Sequence, residues 1–209
     1  NKSKYVHITS GVPQGSILGP TLFAIYTSSI GGCIKDLRMH MYADDTQMYY
    51  SFPPRDVKQA CDIINRNLQS FVHLVELHSL KINPQKSKVM LLCSEYFYKE
   101  TLPHVKINVQ GRNLEVCQKI RNLGLVIDSH LRFKSHVNQC IKNGFHYLRL
   151  IYQNKDFLNS SLRKTLCESL VLSHLNYCDV IYGPCLDQRD TQRIQRLQNA
   201  CLRLIYGVP

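Results

Sequence analysis

Two adjacent carboxylates, Asp44 and Asp45, are the residues of this chain whose type and spacing best suit chemistry. They lie in the stretch MHMYADDTQMYY, where apolar and polar residues alternate on both sides of Ala43-Asp44-Asp45. The alternation predicts a β-hairpin with the carboxylates at its tip, where both side chains can converge on one point. Because unpaired negative charges at close range are costly, we expect a positively charged partner beside the pair.

An Asp-Asp turn also has a purely structural explanation, since Asp favours turns. The two residues in front of the pair favour a functional site instead. Tyr42 offers an aromatic body, and Ala43 is small enough for a ligand to pass close by. The residues alone leave both interpretations open.

A rigid turn precedes the carboxylates in the chain. The stretch GVPQGSILGP, residues 11–20, holds three glycines and two prolines and leads into the apolar TLFAIY. It is too rich in Gly and Pro for a helix interior, so a helix is predicted to begin near Pro20 and to end at Gly31-Gly32. Any one of these glycines is equally typical of a plain turn.

The elements that follow the hairpin combine helix and strand. A long helix is predicted after Pro53-Pro54, followed by a strand, a Pro turn and a second strand in SLKINPQKSKVMLLCS. A hairpin turning at Gln110-Gly111 comes next, and IRNLGLVID predicts one more strand.

From about Phe133 onwards, the apolar spacing predicts helices only. Ser160 or Ser161 is expected to cap one helix, and Asp187 or Asp190 to open the last. The predicted fold class is therefore α+β, with a mixed region over residues 1–128 and an all-helical region over residues 129–209.

The composition is that of a basic globular protein. The 209 residues are 44% hydrophobic and carry 26 Lys and Arg against 15 Asp and Glu, a net charge of +11. This charge suits a polyanionic partner such as nucleic acid, and a merely solvated basic surface explains it equally well. Four arginines at near-helical spacings on the predicted last helix are candidates for contacts with a nucleic-acid backbone: Arg189, Arg193, Arg196 and Arg203.

Nine cysteines without a C-x-x-C pair predict reduced, buried thiols in an intracellular protein. The histidine spacing matches no zinc site, and no apolar run is long enough to span a bilayer, so neither a structural zinc nor a membrane is expected. The chain lacks an initiator Met and opens in a predicted strand, which suggests a fragment.

The motifs SGVPQGSILGPTLF and MYADD, in that order, resemble the reverse transcriptases of non-long-terminal-repeat (LINE-type) retrotransposons, particularly the insect jockey-like group. The resemblance continues through LKINPQKSKVMLL, IRNLGLVID, LNYCDVIYG and IQRLQNACLRLI and covers nearly the whole chain. It implies a partial polymerase palm over residues 1–128, an antiparallel sheet with helices on one face, followed by a helical thumb over residues 129–209.

The activity that the resemblance implies is RNA-directed DNA synthesis by two-metal nucleotidyl transfer. Its partners would be an RNA template, a DNA primer and deoxynucleoside triphosphates, with no membrane involved. The parent element would act in the cytoplasm and the nucleus.

The resemblance also implies roles for single residues. Asp44 would be a direct ligand of two Mg²⁺ or Mn²⁺ ions and Asp45 its less demanding neighbour, because magnesium prefers oxygen ligands. Lys86 matches a lysine that protonates or neutralises the leaving pyrophosphate, and a solvated strand-edge lysine is the alternative. Leu123-Gly124 would lie in the strand that grips the primer end, or in a buried strand with a Gly bulge. The residues expected to face the nucleotide and template are Gly11, Pro13, Gln14, Gly15, Tyr42 and Ala43.

Two departures from the family pattern bear on what this chain does alone. Residues 1–10 contain no acidic residue, whereas the family holds its metals with a further Asp in a motif like F-D-x-x-x-A-F-D. The chain also has TSSI where the family has I-N-D-L. We therefore expect a C-terminal segment that is inactive alone and binds its two metal ions only within the complete enzyme. The alternative is a non-catalytic nucleic-acid-binding or decayed remnant of such an element.

Overall fold

The computed structural model describes residues 11–208, which divide into two compact units. The first unit comprises the described residues up to 89 together with 99–115, and the second comprises 90–98 and 116–208. Residues 119–128 therefore belong to the same unit as the C-terminal helices. The strand predicted at the start of the chain lies outside the described residues.

Two helices and two hairpins build the described part of the first unit. They are α1 (Gly19–Thr27), β1 (Arg38–Tyr42), β2 (Asp45–Tyr49), α2 (Val57–Leu77), β4 (Asn108–Val109) and β5 (Arg112–Asn113), with the short strand β3 (Lys88–Val89). The buried side of α2 packs on two apolar clusters, one around Ile30 and Phe71 and the other around Cys61 and Ile107. The predicted long helix and the hairpin at Gln110-Gly111 are confirmed.

Helix α1 begins where predicted and ends earlier. Its last α-helical residue is Thr27, and a 3₁₀ segment, Ser28–Cys33, continues to the predicted end at Gly31-Gly32. The Thr27 hydroxyl donates to the carbonyl of Phe23 at 2.9 Å and the Ser28 hydroxyl to that of Ile25 at 2.7 Å. These side-chain bonds compete with the helical ladder, which favours the change of geometry.

The first of the two strands predicted in SLKINPQKSKVMLLCS does not form. Ser79 has a φ of +54°, and the side-chain oxygen of Asn83 accepts bonds from the backbone N–H of Gln85 and Lys86. These two bonds form an Asx turn at the predicted Pro turn, while residues 80–83 before it adopt no regular structure. Only β3 remains of the second strand.

The second unit joins one hairpin to a set of helices. Its elements are β7 (Lys119–Asn122), β8 (Leu125–Asp128), α4 (Lys134–Gln153), α5 (Ser160–Leu166), α6 (Ser173–Asn176), α7 (Asp179–Tyr182) and α8 (Gln188–Tyr206). A π-helical segment, Cys167–Leu172, joins α5 to α6. The sequence did not predict α3 (Glu95–Thr101), and β6 (Glu115–Val116) lies where the chain passes between the units.

The prediction of one strand in IRNLGLVID is wrong. Leu123 and Gly124 have φ values of +44° and +87°, and the two-residue turn that they form folds the stretch into the hairpin β7–β8. Two positive φ values suit the right-handed twist of paired strands, which is why such turns join hairpins.

Of the two predicted helix caps, one is confirmed and the other is wrong. Asp187 caps α8 by accepting from the backbone N–H of Asp190 at 2.8 Å, as predicted. The cap of α5 is Asn159 rather than Ser160 or Ser161, since its side chain accepts from the N–H of Leu162 at 2.8 Å.

The chain is α+β, but the predicted single antiparallel sheet with helices on one face is absent from residues 11–208. Their strands form separate two-stranded ladders. Each strand is only two to five residues long, and the two strands of a hairpin pair with each other and with no further strand.

The buried-thiol prediction holds for Cys61, Cys117, Cys140, Cys167 and Cys201. It is wrong for Cys185, which is exposed, while Cys93 and Cys178 are half-buried. In the described part of the chain, no helix is both long and apolar enough to cross a bilayer.

Candidate functional site

The tip of hairpin β1–β2 presents both carboxylates. Tyr42 and Asp45 are the last paired residues, so Ala43 and Asp44 form the two-residue turn. Both Asp side chains are exposed, as are Ala43 and Tyr42, the latter with 68% of its surface accessible. The predicted hairpin with both acids at its tip is confirmed.

The backbone at this tip is strained. Ala43, the first residue of the turn, has a φ of +52°, and the first residues of the other two hairpin turns, Gln110 and Leu123, have similar values of +52° and +44°. A left-handed conformation costs a residue with a Cβ about 1–2 kcal/mol. The three hairpin turns therefore share this strain.

The glycine-rich segment forms a tight turn in front of α1. Gly11 and Gly15 have φ values of +80° and +83°, and the N–H of Ser16 donates to the carbonyl of Pro13 at 3.1 Å. Pro13, Gln14, Gly15 and Ser16 thus form a β-turn with glycine at the position that requires positive φ. A Cβ built on Gly11 or Gly15 meets no described atom within 4 Å, and Gln14 is exposed, so this surface is open.

Lys86 lies in the Asx turn that Asn83 organises, with an exposed side chain. Within residues 11–208, no ion pair joins it to Asp44 or Asp45, and no hydrogen bond or ion pair engages either carboxylate. The positive partner expected beside the pair is therefore not found among these residues.

The donor chemistry at the tip suits a hard divalent cation. Carboxylate oxygens are the ligands that Mg²⁺ prefers, and two of them are presented side by side. The described residues hold no cluster of three or more His, Cys, Asp or Glu side chains that could bind a metal. The pair thus offers part of a coordination shell.

The second unit contains the Leu123-Gly124 turn, which is exposed rather than buried in a strand. Tyr177, from the loop after α6, donates its hydroxyl to the carbonyl of Leu123. A Cβ added to Gly124 would lie 3.2 Å from the Tyr177 ring. Sequence reasoning missed Tyr177 as the support of this turn, and the only signal was its place in LNYCDVIYG.

A buried histidine holds this hairpin against α4. The Nδ1 atom of His136 accepts from the backbone N–H of Val126 at 3.4 Å, so the ring proton lies on Nε2, which faces the Sγ atom of Cys140 at 3.5 Å. Burial, with a smaller effect of the nearby Arg121 charge, lowers the pKa of His136. The edge of the Tyr182 ring packs on it, and burial raises the pKa of Tyr182 to about 12.

The four candidate arginines of α8 differ in what they contact. Arg193 is half-buried, with its guanidinium 2.6 Å from the side-chain oxygen of Asn138 and 3.0 Å from the carboxylate of the buried Asp190. Arg189, Arg196 and Arg203 are exposed and form no ion pair with another described residue. Their spacing of seven residues places them along one side of the helix.

Similarity to known proteins identifies a family for this chain. A model of the reverse transcriptase (RNA-dependent DNA polymerase) family matches residues 1–148. The whole chain is 25% identical to the RNA-directed DNA polymerase from mobile element jockey of Drosophila melanogaster, of which it covers 23%. It is 27% identical, over 96% of its length, to the probable RNA-directed DNA polymerase from transposon BS of the same species, of which it covers 22%.

A third relative is the probable RNA-directed DNA polymerase from transposon X-element of Drosophila melanogaster, 28% identical over 96% of this chain and 22% of that protein. The chain thus spans less than a quarter of the length of these relatives. No solved structure matches the chain significantly.

Proposed function

The chain belongs to the reverse transcriptase family, and from this premise we propose that it is a segment of an RNA-directed DNA polymerase of a mobile element. Its substrates would be deoxynucleoside triphosphates and a DNA primer paired with an RNA template. The observation that carries the proposal is the exposed Asp44-Asp45 pair at the tip of a hairpin within the matched residues.

We assign a partial palm to residues 1–128 and a helical thumb to residues 129–209. This boundary follows the change from strand to helix along the chain, whereas the compact units keep β7–β8 together with the C-terminal helices. The Asp128 carboxylate accepts from the backbone N–H groups of His130 and Arg132 at 3.1 Å and of Phe133 at 2.6 Å. These three bonds turn the chain from the last strand into α4.

Asp44 and Asp45 would hold two divalent cations, Mg²⁺ or Mn²⁺, with Asp44 as the more direct ligand. When bound, such ions neutralise charge on the triphosphate and favour the deprotonated primer hydroxyl. The proposal includes a further carboxylate from another part of the polymerase, because two acids leave such ions under-coordinated.

Other residues would position the reactants. The open surface at Gly11 and Gly15 leaves room for the templating base and the nucleotide, with Pro13 keeping the turn rigid and Gln14 in contact. Tyr42 and Ala43 would border the same nucleotide. The exposed ammonium of Lys86 would donate a proton to the leaving pyrophosphate.

The primer and its duplex would contact the second unit. Leu123-Gly124 presents an exposed turn to the primer end, and Tyr177 holds that turn in place. Phosphates would be bound by Arg189, Arg196 and Arg203, whereas Arg193 is already held by Asp190. Phosphate contacts of this kind position a duplex without reading its sequence.

Replacing the matching segment of the jockey polymerase by residues 1–209 and measuring primer extension on an RNA template with Mg²⁺ tests the proposal. We expect extension by the chimera, and its loss by at least about 100-fold with Asp44→Asn, because several kcal/mol of charge stabilisation disappear. Asp45→Asn should reduce extension less.

The matched control is Asp62→Asn, which removes an exposed carboxylate from α2 and should leave extension unchanged. Equal activity of the Asp44→Asn and Asp62→Asn chimeras would overturn the assignment. If the chimera is inactive, Mn²⁺ added to the chain itself should broaden the backbone NMR signals of residues 42–46 before those around Asp62.

A further inference from the structure

Helices α4 and α8 border a groove that shares one residue, Arg203, with the duplex contacts proposed above. Its volume is about 470 Å³. Its lining residues are Phe145, Leu148, Arg149 and Tyr152 of α4, Ala200, Arg203 and Leu204 of α8, and Val208. The groove thus combines two aromatic rings and two arginines with aliphatic side chains.

The two aromatic residues of the groove are exposed. Phe145 is 44% exposed and Tyr152 57% exposed, and their separation of seven residues places them two turns apart on one side of α4. The Lys155 ammonium lies 4.5 Å from the centre of the Tyr152 ring and 3.4 Å from its hydroxyl oxygen, which places a further cation beside the ring. Exposed rings provide flat surfaces on which bases stack.

The electrostatics of the groove favour an anionic occupant. Helix α4 contains no Asp or Glu, and the single acidic residue within α8 is Asp190, which is buried and paired with Arg193. Arg149, Lys155 and Arg203 form no ion pair with any of residues 11–208. Their charges are therefore available to phosphates.

We propose that this groove binds single-stranded nucleic acid, with bases stacked on Phe145 and Tyr152 and phosphates contacting Arg149, Arg203 and Lys155. The proposal goes beyond the polymerase function, which requires the carboxylates of the first unit. A duplex fits the groove less well because its bases are already stacked on one another. An acidic peptide matches the charge but offers no flat ring to each aromatic side chain.

The test measures fluorescence anisotropy of the 209-residue chain with three labelled probes of equal length. The probes are a single-stranded thymidine oligomer of about 12 nucleotides, a typical site size for such grooves, an abasic oligomer with the same phosphates, and a blunt duplex. We expect the thymidine oligomer to bind about tenfold more tightly than the abasic one, the worth of about one stacked base.

Two substitutions separate stacking from charge. Tyr152→Leu keeps an apolar side chain and should weaken thymidine-oligomer binding about five- to tenfold while leaving abasic binding unchanged. Arg149→Gln should weaken the binding of both single-stranded probes. Phe145→Leu provides a second variant with the same expectation as Tyr152→Leu, and thermal melting confirms that each variant is folded.

Tyr96→Leu is the matched control, because Tyr96 is 78% exposed on α3 and does not line the groove. Equal affinity for thymidine and abasic oligomers, or an equal effect of Tyr96→Leu and Tyr152→Leu, would overturn the proposal. Displacement of the thymidine oligomer by polyglutamate at equal charge would identify an acidic peptide as the occupant instead. Asp44→Asn should leave the affinity for the thymidine oligomer unchanged. A negative primer-extension result and a negative groove-binding result can therefore be told apart.

Discussion

The neutral ring of His136 joins hairpin β7–β8 to helix α4. It is buried, accepts a hydrogen bond from the backbone of Val126 through Nδ1, and faces Cys140 and Tyr182. Protonation of Nδ1 would remove this acceptor and place a charge in the interior near Arg121. The fold therefore favours the neutral form, and the pKa of His136 is lowered.

Because that pKa lies below its value in the unfolded chain, the contribution of His136 to stability is present above about pH 6.5 and is lost as the pH falls. In the window between the two pKa values, the unfolded state binds one more proton. The free energy of unfolding should fall there by up to about 1.4 kcal/mol per pH unit from this residue. Urea unfolding at pH 7.5, 6.5 and 5.5 measures the slope.

His136→Asn keeps a side-chain acceptor without a titrating ring and should flatten the pH dependence. The matched control is His146→Asn, an exposed position on the same helix, which should leave the slope as in the unsubstituted chain. If both variants keep the full slope, the pH dependence comes from other groups.

At the scale of elements, the packing of α4 on α8 depends on one glycine. A Cβ built on Gly144 would lie 2.4 Å from the Cδ2 atom of Leu197, whose side chain is fully buried. Leu197 is surrounded by the apolar cluster that includes Cys140, Cys167 and Cys201, so it cannot move aside freely. Glycine is needed here for the close approach of two helices.

We expect Gly144→Ala to lower the free energy of unfolding by about 1–2 kcal/mol. Overpacking a core costs about 1–3 kcal/mol, and the better helix propensity of Ala returns at most about 1 kcal/mol. Gly183→Ala is the control, because its Cβ would meet no atom within 4 Å and its φ of −55° suits any residue. Equal stability of the two variants in urea would show that Leu197 rearranges without cost.

At the scale of the whole molecule, the net charge of +11 is the feature that a polyanion would encounter first. The arginines of α8 differ in whether another side chain binds them. Arg193 is bonded to Asp190 and Asn138, while Arg189 and Arg196 are exposed on the same helix. Arg189 and Arg196, like Arg203, are therefore available for phosphates without breaking an internal contact, whereas Arg193 is not.

Replacing Arg189 and Arg196 together by Gln should therefore change the salt dependence of duplex binding. Each lost phosphate contact reduces the slope of log affinity against log salt by about 0.9 on B-form DNA, so the double variant should lose about 1.8. Anisotropy titrations of one DNA duplex at four salt concentrations measure this slope.

The control variant carries Lys58→Gln and Arg66→Gln, which remove the same charge from exposed positions on α2 and should leave the slope nearly intact. An unchanged slope in the Arg189 and Arg196 variant would mean that these side chains only solvate the helix. Sequence preference should be the same in all variants, because phosphate contacts carry no base information.

Motifs spread over nearly the whole chain predicted the family. The local order of residues was enough to predict the α+β class, the start of α1, a long helix at α2, the opening of α8 at Asp187 or Asp190 and the acidic hairpin tip. These features depend on neighbours within a few residues: proline at a first turn, apolar positions at helical spacing, and alternation on either side of a turn. Nothing beyond the segment itself was needed to infer them.

Tertiary contacts decided the rest, because they join residues far apart in the chain. Tyr177 holds the Leu123-Gly124 turn from a distance of 54 residues, so a stretch with the pattern of one strand becomes a hairpin. Asn138 and Asp190 hold Arg193, which the spacing of the arginines alone could not distinguish from its exposed neighbours. Helical spacing placed the rings of Phe145 and Tyr152 on one face, and only the packing of α8 beside α4 turned that face into a groove.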